Sequence, residues 1–352
     1  MSRSSNSRDA YADPILCLKN AELAPIASAS AQIEKWTLKE PFKIARATRY
    51  EIELVLVELS DGHHIGRGES CPEEHYGETP EGVLKDIESF LDRLRNGEAW
   101  HDIHDELPAG AARNAVDCAI WDLAAKSSGK TIAQLLAKNP LKSVETVFTI
   151  SLDTPDKMAA QARHAAKAHR TLKIKLGREG DDARIRAVRE AVPDTNLIVD
   201  VNEHWSLEET KAYQPLLAEA DIRMLEQPLP AGKDAPIADV VKLVRFGADE
   251  SIRTTADMDA VAPFYDVVNI KLDKTGGLTE ALRLSQLATD RGLSQMVGCM
   301  LGTSLAMAPA VVIAQACEFV DLDAPLLIGH DRESHLIYEN GSISPPDPAL
   351  WG

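Results

Sequence analysis

The chain has 352 residues, 44% of them hydrophobic, which is enough to bury the core of one large domain and a smaller one. Its 55 acidic and 38 basic residues give a formal net charge of -17, which repels nucleic acid and anionic membrane surfaces. The five cysteines lack metal-binding spacing, and no apolar run is long enough to span a membrane. We therefore expect a soluble protein of the reducing cytoplasm that binds neither nucleic acid nor a membrane.

The first 142 residues indicate a tail followed by a small mixed domain. Residues 1–22 are rich in Ser and Arg and lack the apolar stretch of a secretory signal, so we expect a mobile tail. Hydrophobic residues then alternate, and a turn at Asp61-Gly62 predicts a hairpin. Helical periodicity follows. Residues 23–142 are thus predicted to form an α+β domain.

Short apolar strands separated by helical stretches begin after this domain. They recur about every 25 residues, which leaves room for one crossover helix in each gap. The candidates are TVFTI, TLKIK, NLIVDVN, IRMLEQP, RFGADES, DVVNIKL, SQMVGCM and FVDLDAP. Eight such units predict a closed (β/α) TIM-type barrel over residues 143–325, with residues 326–352 returning to the first domain. An open doubly wound sheet is the alternative.

Three neighbouring strand candidates end in an acidic residue: Asp200, Glu226 and Asp249. The carboxyl ends of barrel strands meet at one mouth, so we expect these carboxylates to lie close together and to need a cation. A ligand set of oxygens alone favours one Mg²⁺ per subunit, and Mn²⁺ could substitute for it. Taken singly, each acid could instead only cap the following helix.

Lysines are predicted on two opposite walls of the barrel. Alternation places Lys173 and Lys175 on the inner side of strand two, and strand six supplies Lys271. A substrate carboxylate held on the metal would present its α-carbon to Lys175 on one face and to Lys271 on the other, which predicts inversion of configuration. The alternative is a solvated pair on an edge strand. We expect Lys274, in the next loop, to be a surface residue.

Motifs along nearly the whole chain resemble the enolase superfamily and, within it, the dipeptide epimerases that act on L-Ala-D/L-Glu. They are PFKIARATRYE, GAARNAVDCAIWDLAAK, KIK, DVN, EQPLP, ADES, NIKLDKTGG, MVGCMLGTS and DLDAP. The resemblance implies an α+β capping domain over the barrel mouth, metal ligands at Asp200, Glu226 and Asp249, and acid/base lysines at Lys175 and Lys271.

The subgroup rests mainly on two aspartates at the end of strand eight, Asp321 and Asp323. In the dipeptide epimerases that this pattern resembles, such a pair holds the ammonium group of the N-terminal residue, although two helix caps are the alternative. The resemblance further implies that the pocket is lined by Thr149, Lys173, Cys299 and Leu301. For the side chain of the second residue we favour Arg46 in the cap loop 42–50. In one pattern of the family the specificity arginine stands where this chain has Ala47.

These observations predict an isomerase, a Mg²⁺-dependent dipeptide epimerase. It would invert the α-carbon of the C-terminal residue by two-base 1,1-proton transfer through a metal-stabilised enolate. The resemblance connects this activity to recycling of cell-wall peptides in the bacterial cytoplasm and is compatible with a homo-oligomer. Two alternatives stay open. One is another lysine–lysine enzyme of the superfamily, of the o-succinylbenzoate synthase, N-succinylamino acid racemase or muconate cycloisomerase type, and the other is a barrel that binds without catalysis.

Overall fold

The computed structural model describes residues 13–21 and 23–352. The mobile tail predicted for residues 1–22 therefore falls largely outside the described residues. Where that segment is described, helix α1 (Pro14–Lys19) buries Leu18 completely. Asp13 caps this helix and accepts a hydrogen bond from Arg283 at 3.2 Å. The described helices are all too short or too polar to cross a bilayer.

The N-terminal part is an antiparallel sheet with helices packed against it. Its strands are β1 (Ser28–Lys43), β2 (Thr48–Ser60) and β3 (Ile65–Ser70), and its helices are α2 (Pro80–Arg95), α3 (Trp100–Ile103), α4 (Ala111–Ser128) and α5 (Ile132–Leu135). The predicted hairpin turn forms at Gly62, whose φ of 92° suits glycine. Helix α4 lies so close to β3 that a Cβ on Gly68 would be 2.0 Å from the carbonyl oxygen of Ala115. This is the predicted α+β capping domain.

The described part of the chain continues with an eight-stranded parallel sheet, in which neighbouring strands are consecutive in the sequence. Its strands are β5 (Phe148–Ile150), β6 (Thr171–Lys175), β7 (Asn196–Asp200), β8 (Ile222–Glu226), β9 (Arg245–Ala248), β10 (Val267–Ile270), β11 (Ser294–Val297) and β12 (Phe319–Val320). Each strand lies within one of the predicted candidates. The backbone N–H of Val147 donates to the carbonyl of Val320 at 2.8 Å and joins the first strand to the eighth. The sheet is thus a barrel, and the open doubly wound alternative is wrong.

Helices surround the barrel and connect its strands. They are α6 (Pro155–Ala165), α7 (Asp181–Ala191), α8 (Leu207–Glu219), α9 (Met258–Val261), α10 (Leu272–Thr275), α11 (Leu278–Asp290), α12 (Ser304–Ala314) and α13 (Ala324–Leu327). Short 3₁₀ helices cover Glu74–Tyr76, His104–Glu106, Ala235–Asp239 and Thr255–Asp257.

The interior of the barrel changes from apolar to polar along each strand. A separate apolar cluster at its lower end includes Ile198 of β7 and Met224 of β8. Because side chains alternate with a period of two, Asp200 and Glu226 lie on the same inner face one step further along. The outward residues, such as Leu172, belong to the large core shared with the helices. The fold therefore collects polar groups at the carboxyl-terminal mouth.

The C-terminal segment contacts both the start of the barrel and the capping domain. Strands β13 (Tyr338–Glu339) and β14 (Ser342–Ile343) form an antiparallel sheet with β4 (Val144–Glu145). Arg332 pairs with Glu69 of β3 at 2.5 Å. Trp351 is fully buried and donates to the carbonyl of Cys118 in α4 at 3.0 Å. These contacts hold the capping domain against the barrel.

Candidate active site

A pocket lies at the barrel mouth beneath the loop that joins β1 to β2. The β1–β2 region contributes Phe42, Ile44 and Ala47 to its wall. All seven predicted substrate-contacting residues and both predicted acid/base lysines line this pocket: Arg46, Thr149, Lys173, Lys175, Lys271, Cys299, Leu301, Asp321 and Asp323. These nine residues come from the cap loop and from five barrel strands or their carboxyl-terminal ends, which the barrel topology brings to one place.

Three carboxylates lie together at the floor of the pocket. Asp200 and Glu226 end adjacent strands in register, and Asp249 follows the next strand. All three residues are almost completely buried, and one oxygen from each lies within 4.8 Å of the others. Burial and the adjacent charge of Asp200 raise the pKa of Glu226 to about 8. Three buried carboxylates so close together, with oxygen as the only donor atom, fit a hard divalent cation.

Lys173 lies at the centre of these acids. Its Nζ atom is 3.1 Å from Asp200 Oδ2, 2.8 Å from Glu226 Oε2 and 2.9 Å from Asp321 Oδ2. Burial by itself would lower the pKa of Lys173, but Asp321 and the other carboxylates outweigh it and hold this pKa well above its usual range. Lys173 is therefore a buried positive charge that links Asp200 and Glu226 to Asp321, which follows strand β12.

Lys175 and Lys271 approach the acids from opposite walls. Lys175 ends β6, the second barrel strand, and its Nζ is 2.6 Å from Asp200 Oδ2. Lys271 follows β10, the sixth strand, and its Nζ is 2.7 Å from Asp249 Oδ2. Three strands lie between β6 and β10 in the sheet order, which places the two on opposite sides of an eight-stranded barrel. Both ammonium groups therefore flank the acids, one from each side of the pocket.

The prediction that Lys274 lies on the surface is wrong. Its side chain is 0% exposed, and its Nζ lies 2.6 Å from Asp249 Oδ1. The short helix α10 begins directly after Lys271 and places Lys274 beside the strand end, and Gly276, in the left-handed conformation, ends this turn. A position after the strand suggested exposure, but the two glycines that follow were a signal that the chain turns tightly here.

The two aspartates after β12 lie on the pocket wall. Asp323 Oδ2 accepts a hydrogen bond from the backbone N–H of Thr149 at 2.6 Å. Burial, together with the charge of Asp321, raises the pKa of Asp323 to about 7. The buried Oδ1 of Asp321 has no hydrogen-bond partner among the described residues. Asp323 makes no side-chain cap to α13 within those residues, so helix capping does not account for this pair.

The cap loop brings Arg46 over the acids. Its Nη1 lies 3.0 Å from Glu250 Oε1 and 3.4 Å from Glu203 Oε2. The second arginine of the loop, Arg49, forms a bidentate pair with Glu73 at 2.8 and 2.7 Å. Sequence reasoning did not include Glu203 or Glu250 in the site. Glu250 directly follows Asp249, and Glu203 lies three positions after Asp200. This closeness in sequence to two expected metal ligands was the available signal.

A further residue missed by the sequence is Asn269 on β10. Its side-chain N–H donates to Glu226 Oε1 at 2.9 Å. Asn202, two residues after the end of β7, has a similar role, because its backbone N–H donates to Asp200 Oδ1 at 2.9 Å. Two of the three acids are therefore oriented by amide groups as well as by lysines.

The chain matches two family descriptions that together cover most of its length. Residues 27–137 match the N-terminal domain of the mandelate racemase / muconate lactonizing enzyme family, and residues 157–349 match the enolase C-terminal domain-like family.

Individual proteins give closer matches. The L-Ala-D/L-Glu epimerase of Escherichia coli (strain K12) is 42% identical over 311 residues, covering 88% of this chain and 97% of that protein. The N-acetyl-D-glutamate racemase of a Pseudoalteromonas species is 40% identical over 301 residues, covering 85% and 95%. An enolase family member from Agrobacterium tumefaciens with homology to dipeptide epimerases, solved with bound sodium, L-Ala-L-Glu and an ordered loop, has 47% identity and a TM-score of 0.89 over 92% of this chain and 99% of that one. The chain therefore belongs to the dipeptide epimerase family of the enolase superfamily.

Proposed function

We propose that this protein is a Mg²⁺-dependent dipeptide epimerase that inverts the α-carbon of the C-terminal residue. The observation that carries the proposal is the meeting of three kinds of group in one pocket. They are a buried set of three acids, two lysines on opposite walls, and a pair of aspartates at a third position. The L-Ala-D/L-Glu epimerase of Escherichia coli and the L-Ala-L-Glu-bound relative support the same activity.

We propose Asp200, Glu226 and Asp249 as the ligands of Mg²⁺. Their donors are all carboxylate oxygens, which suit this ion better than zinc. When bound, Mg²⁺ supplies positive charge that stabilises the substrate carboxylate as negative charge develops on it. Lys173 adds a second positive charge beside the same acids and is proposed to contact the substrate carboxylate.

Lys175 and Lys271 are proposed to move the α-proton. A hydrogen on the α-carbon of a carboxylate is a very weak acid, so its removal needs both charge stabilisation and a base in contact with it. A substrate that lies between the two walls presents its α-carbon to one lysine on each face. One lysine takes the proton and the other delivers a proton to the opposite face, which inverts the centre. The roles exchange for the other stereoisomer.

Asp321 and Asp323 are proposed to bind the free ammonium group of the dipeptide. Asp321 carries a buried oxygen that lacks a partner in the described part of the chain, and a charged donor would satisfy it. Thr149 orients Asp323 through its backbone N–H, while Cys299 and Leu301 supply nearby wall. Lys173 already pairs with Oδ2 of Asp321, which leaves Oδ1 of that residue for the substrate ammonium.

Arg46 is proposed to pair with an acidic side chain on the second residue. It lines the pocket, and it already faces the carboxylates of Glu250 and Glu203 at hydrogen-bonding distance. A substrate glutamate could replace the longer of these contacts. Such dipeptides would come from cell-wall peptides, and we propose that the protein recycles them in the cytoplasm. Assembly into a homo-oligomer also remains a proposal by analogy.

Racemisation of an N-acylated amino acid is the second candidate. The 40% identity to an N-acetyl-D-glutamate racemase favours it. Such a substrate lacks the ammonium group, so Asp321 Oδ1 and the carboxylate of Asp323 would have no cationic partner on the substrate. The aspartate pair therefore favours the dipeptide.

One experiment separates these candidates. L-Ala-L-Glu and N-acetyl-L-glutamate are each incubated with the protein and Mg²⁺ in D₂O, then analysed by chiral chromatography and mass spectrometry. We expect the dipeptide to be inverted at glutamate with gain of one deuterium there, and the acetylated amino acid to be turned over far more slowly. The reverse preference would support the second candidate, and no exchange in either compound would contradict both.

A further inference from the structure

Lys274 is a buried cation that the proposed reaction does not use. It does not belong to the residues lining the described pocket, and its side chain is 0% exposed. A buried ammonium is costly unless its protons are bonded. Its Nζ donates to Asp249 Oδ1 at 2.6 Å, to the Asp249 carbonyl at 2.5 Å and to the Asn269 carbonyl at 2.9 Å. These acceptors match the three N–H groups of an ammonium.

The two lysines after β10 hold the two oxygens of the same carboxylate. Lys271 binds Asp249 Oδ2 at 2.7 Å, and Lys274 binds Oδ1 at 2.6 Å. Because Lys274 also binds the Asp249 carbonyl, it fixes the backbone and the side chain of this residue together. Rotation of the carboxylate would break a charged hydrogen bond between two almost completely buried residues. One oxygen of Asp249 is thereby kept towards the pocket.

We infer that Lys274 is a positioning residue, which orients Asp249 so that it can serve as a metal ligand. This inference rests on the proposed function, because it assumes that Asp249 binds Mg²⁺. The inference predicts the direction in which Mg²⁺ affinity changes when Lys274 is replaced. A cation near a metal repels it, so loss of the charge alone would strengthen metal binding. Loss of the orientation of Asp249 would instead weaken metal binding, because removing a residue that supports a metal ligand lowers metal affinity by about 10- to 100-fold.

The test is Mg²⁺ affinity, measured by isothermal titration calorimetry without substrate. The variants are Lys274→Met, which removes donors and charge, and Lys274→Gln, which keeps a donor without the charge. The matched control is Lys126→Met, which removes a lysine paired with Asp122 at 2.7 Å in the capping domain. Circular dichroism melting identifies any variant that does not fold, and the comparison then rests on the other Lys274 variant.

We expect Lys274→Met to raise the Kd for Mg²⁺ by about 10- to 100-fold, Lys274→Gln to raise it less, and the control to leave it unchanged. Equal or tighter Mg²⁺ binding in the folded Lys274 variants would overturn the positioning role while leaving the metal site intact. Absence of Mg²⁺ binding in the unmodified protein would overturn the proposed metal site, and the positioning role with it.

Discussion

Lys175 and Asp200 are direct neighbours across strands β6 and β7, and the Nζ of the lysine lies 2.6 Å from Oδ2 of the aspartate. The proposed base and a proposed metal ligand are thus held together by the register of two strands. A change at either residue is expected to disturb both metal binding and proton transfer.

Removal of the metal should abolish activity. Dialysis against EDTA is expected to stop epimerisation, because the developing negative charge on the substrate would lose its stabilisation, and added Mg²⁺ should restore it. Glu226→Gln should show the same loss at ordinary Mg²⁺ concentrations. The assay is inversion of L-Ala-L-Glu followed by chiral chromatography. Full activity in the presence of chelator would contradict the metal site.

Asp323→Asn tests recognition of the ammonium group. Asparagine can still accept the hydrogen bond from the Thr149 N–H, so the variant removes the charge and keeps that contact. A hydrogen bond to a charged group contributes about 1.5–3 kcal/mol, so kcat/KM for dipeptides should fall about 10- to 100-fold. The control is Asp182→Asn, an exposed aspartate of α7, which should have no effect. Unchanged kcat/KM in Asp323→Asn would remove this residue from substrate binding.

The pKa of Asp323, raised to about 7, predicts a pH dependence of substrate binding. Below this pH the carboxyl group of the free protein is neutral, and binding of an ammonium group must first expel its proton. The kcat/KM for dipeptides should therefore fall as the pH decreases below about 7, by up to tenfold per unit. Rate profiles between about pH 5 and 9 measure this, and Asp323→Asn should lose the contribution of this group. An identical acidic limb in the variant would assign the effect to another residue.

Arg46→Met tests how the second residue is selected. Loss of the guanidinium should reduce kcat/KM for L-Ala-L-Glu more than for a dipeptide with a neutral second residue, by about tenfold. Arg49→Met is the matched control, because Arg49 lies in the same pocket wall but is held by Glu73. An equal loss of kcat/KM for both substrates would mean that Arg46 only stabilises the cap loop. A change of preference in the control alone would move the role to Arg49.

The barrel and the positions of its polar groups could be predicted because local patterns determine them. Each strand is a short apolar run, and a parallel barrel brings the end of every strand to one mouth, so Asp200, Glu226 and Asp249 had to meet. Contacts made by loops could not be predicted in this way. Lys274 is buried because the one-turn helix α10 follows the strand directly, and the partners of Arg46 depend on how the cap lies over the barrel.

The two-base geometry is tested most directly by solvent deuterium exchange in Lys175→Ala and Lys271→Ala. Each variant is incubated with Mg²⁺ in D₂O, separately with L-Ala-L-Glu and L-Ala-D-Glu, and deuterium at the glutamate α-carbon is followed by NMR. Both variants should lose epimerisation by at least about 100-fold. Each should still exchange the α-proton of one stereoisomer, and the two variants should retain opposite stereoisomers. If both retain the same stereoisomer, or if both still epimerise at the normal rate, the two lysines do not act on opposite faces of the substrate.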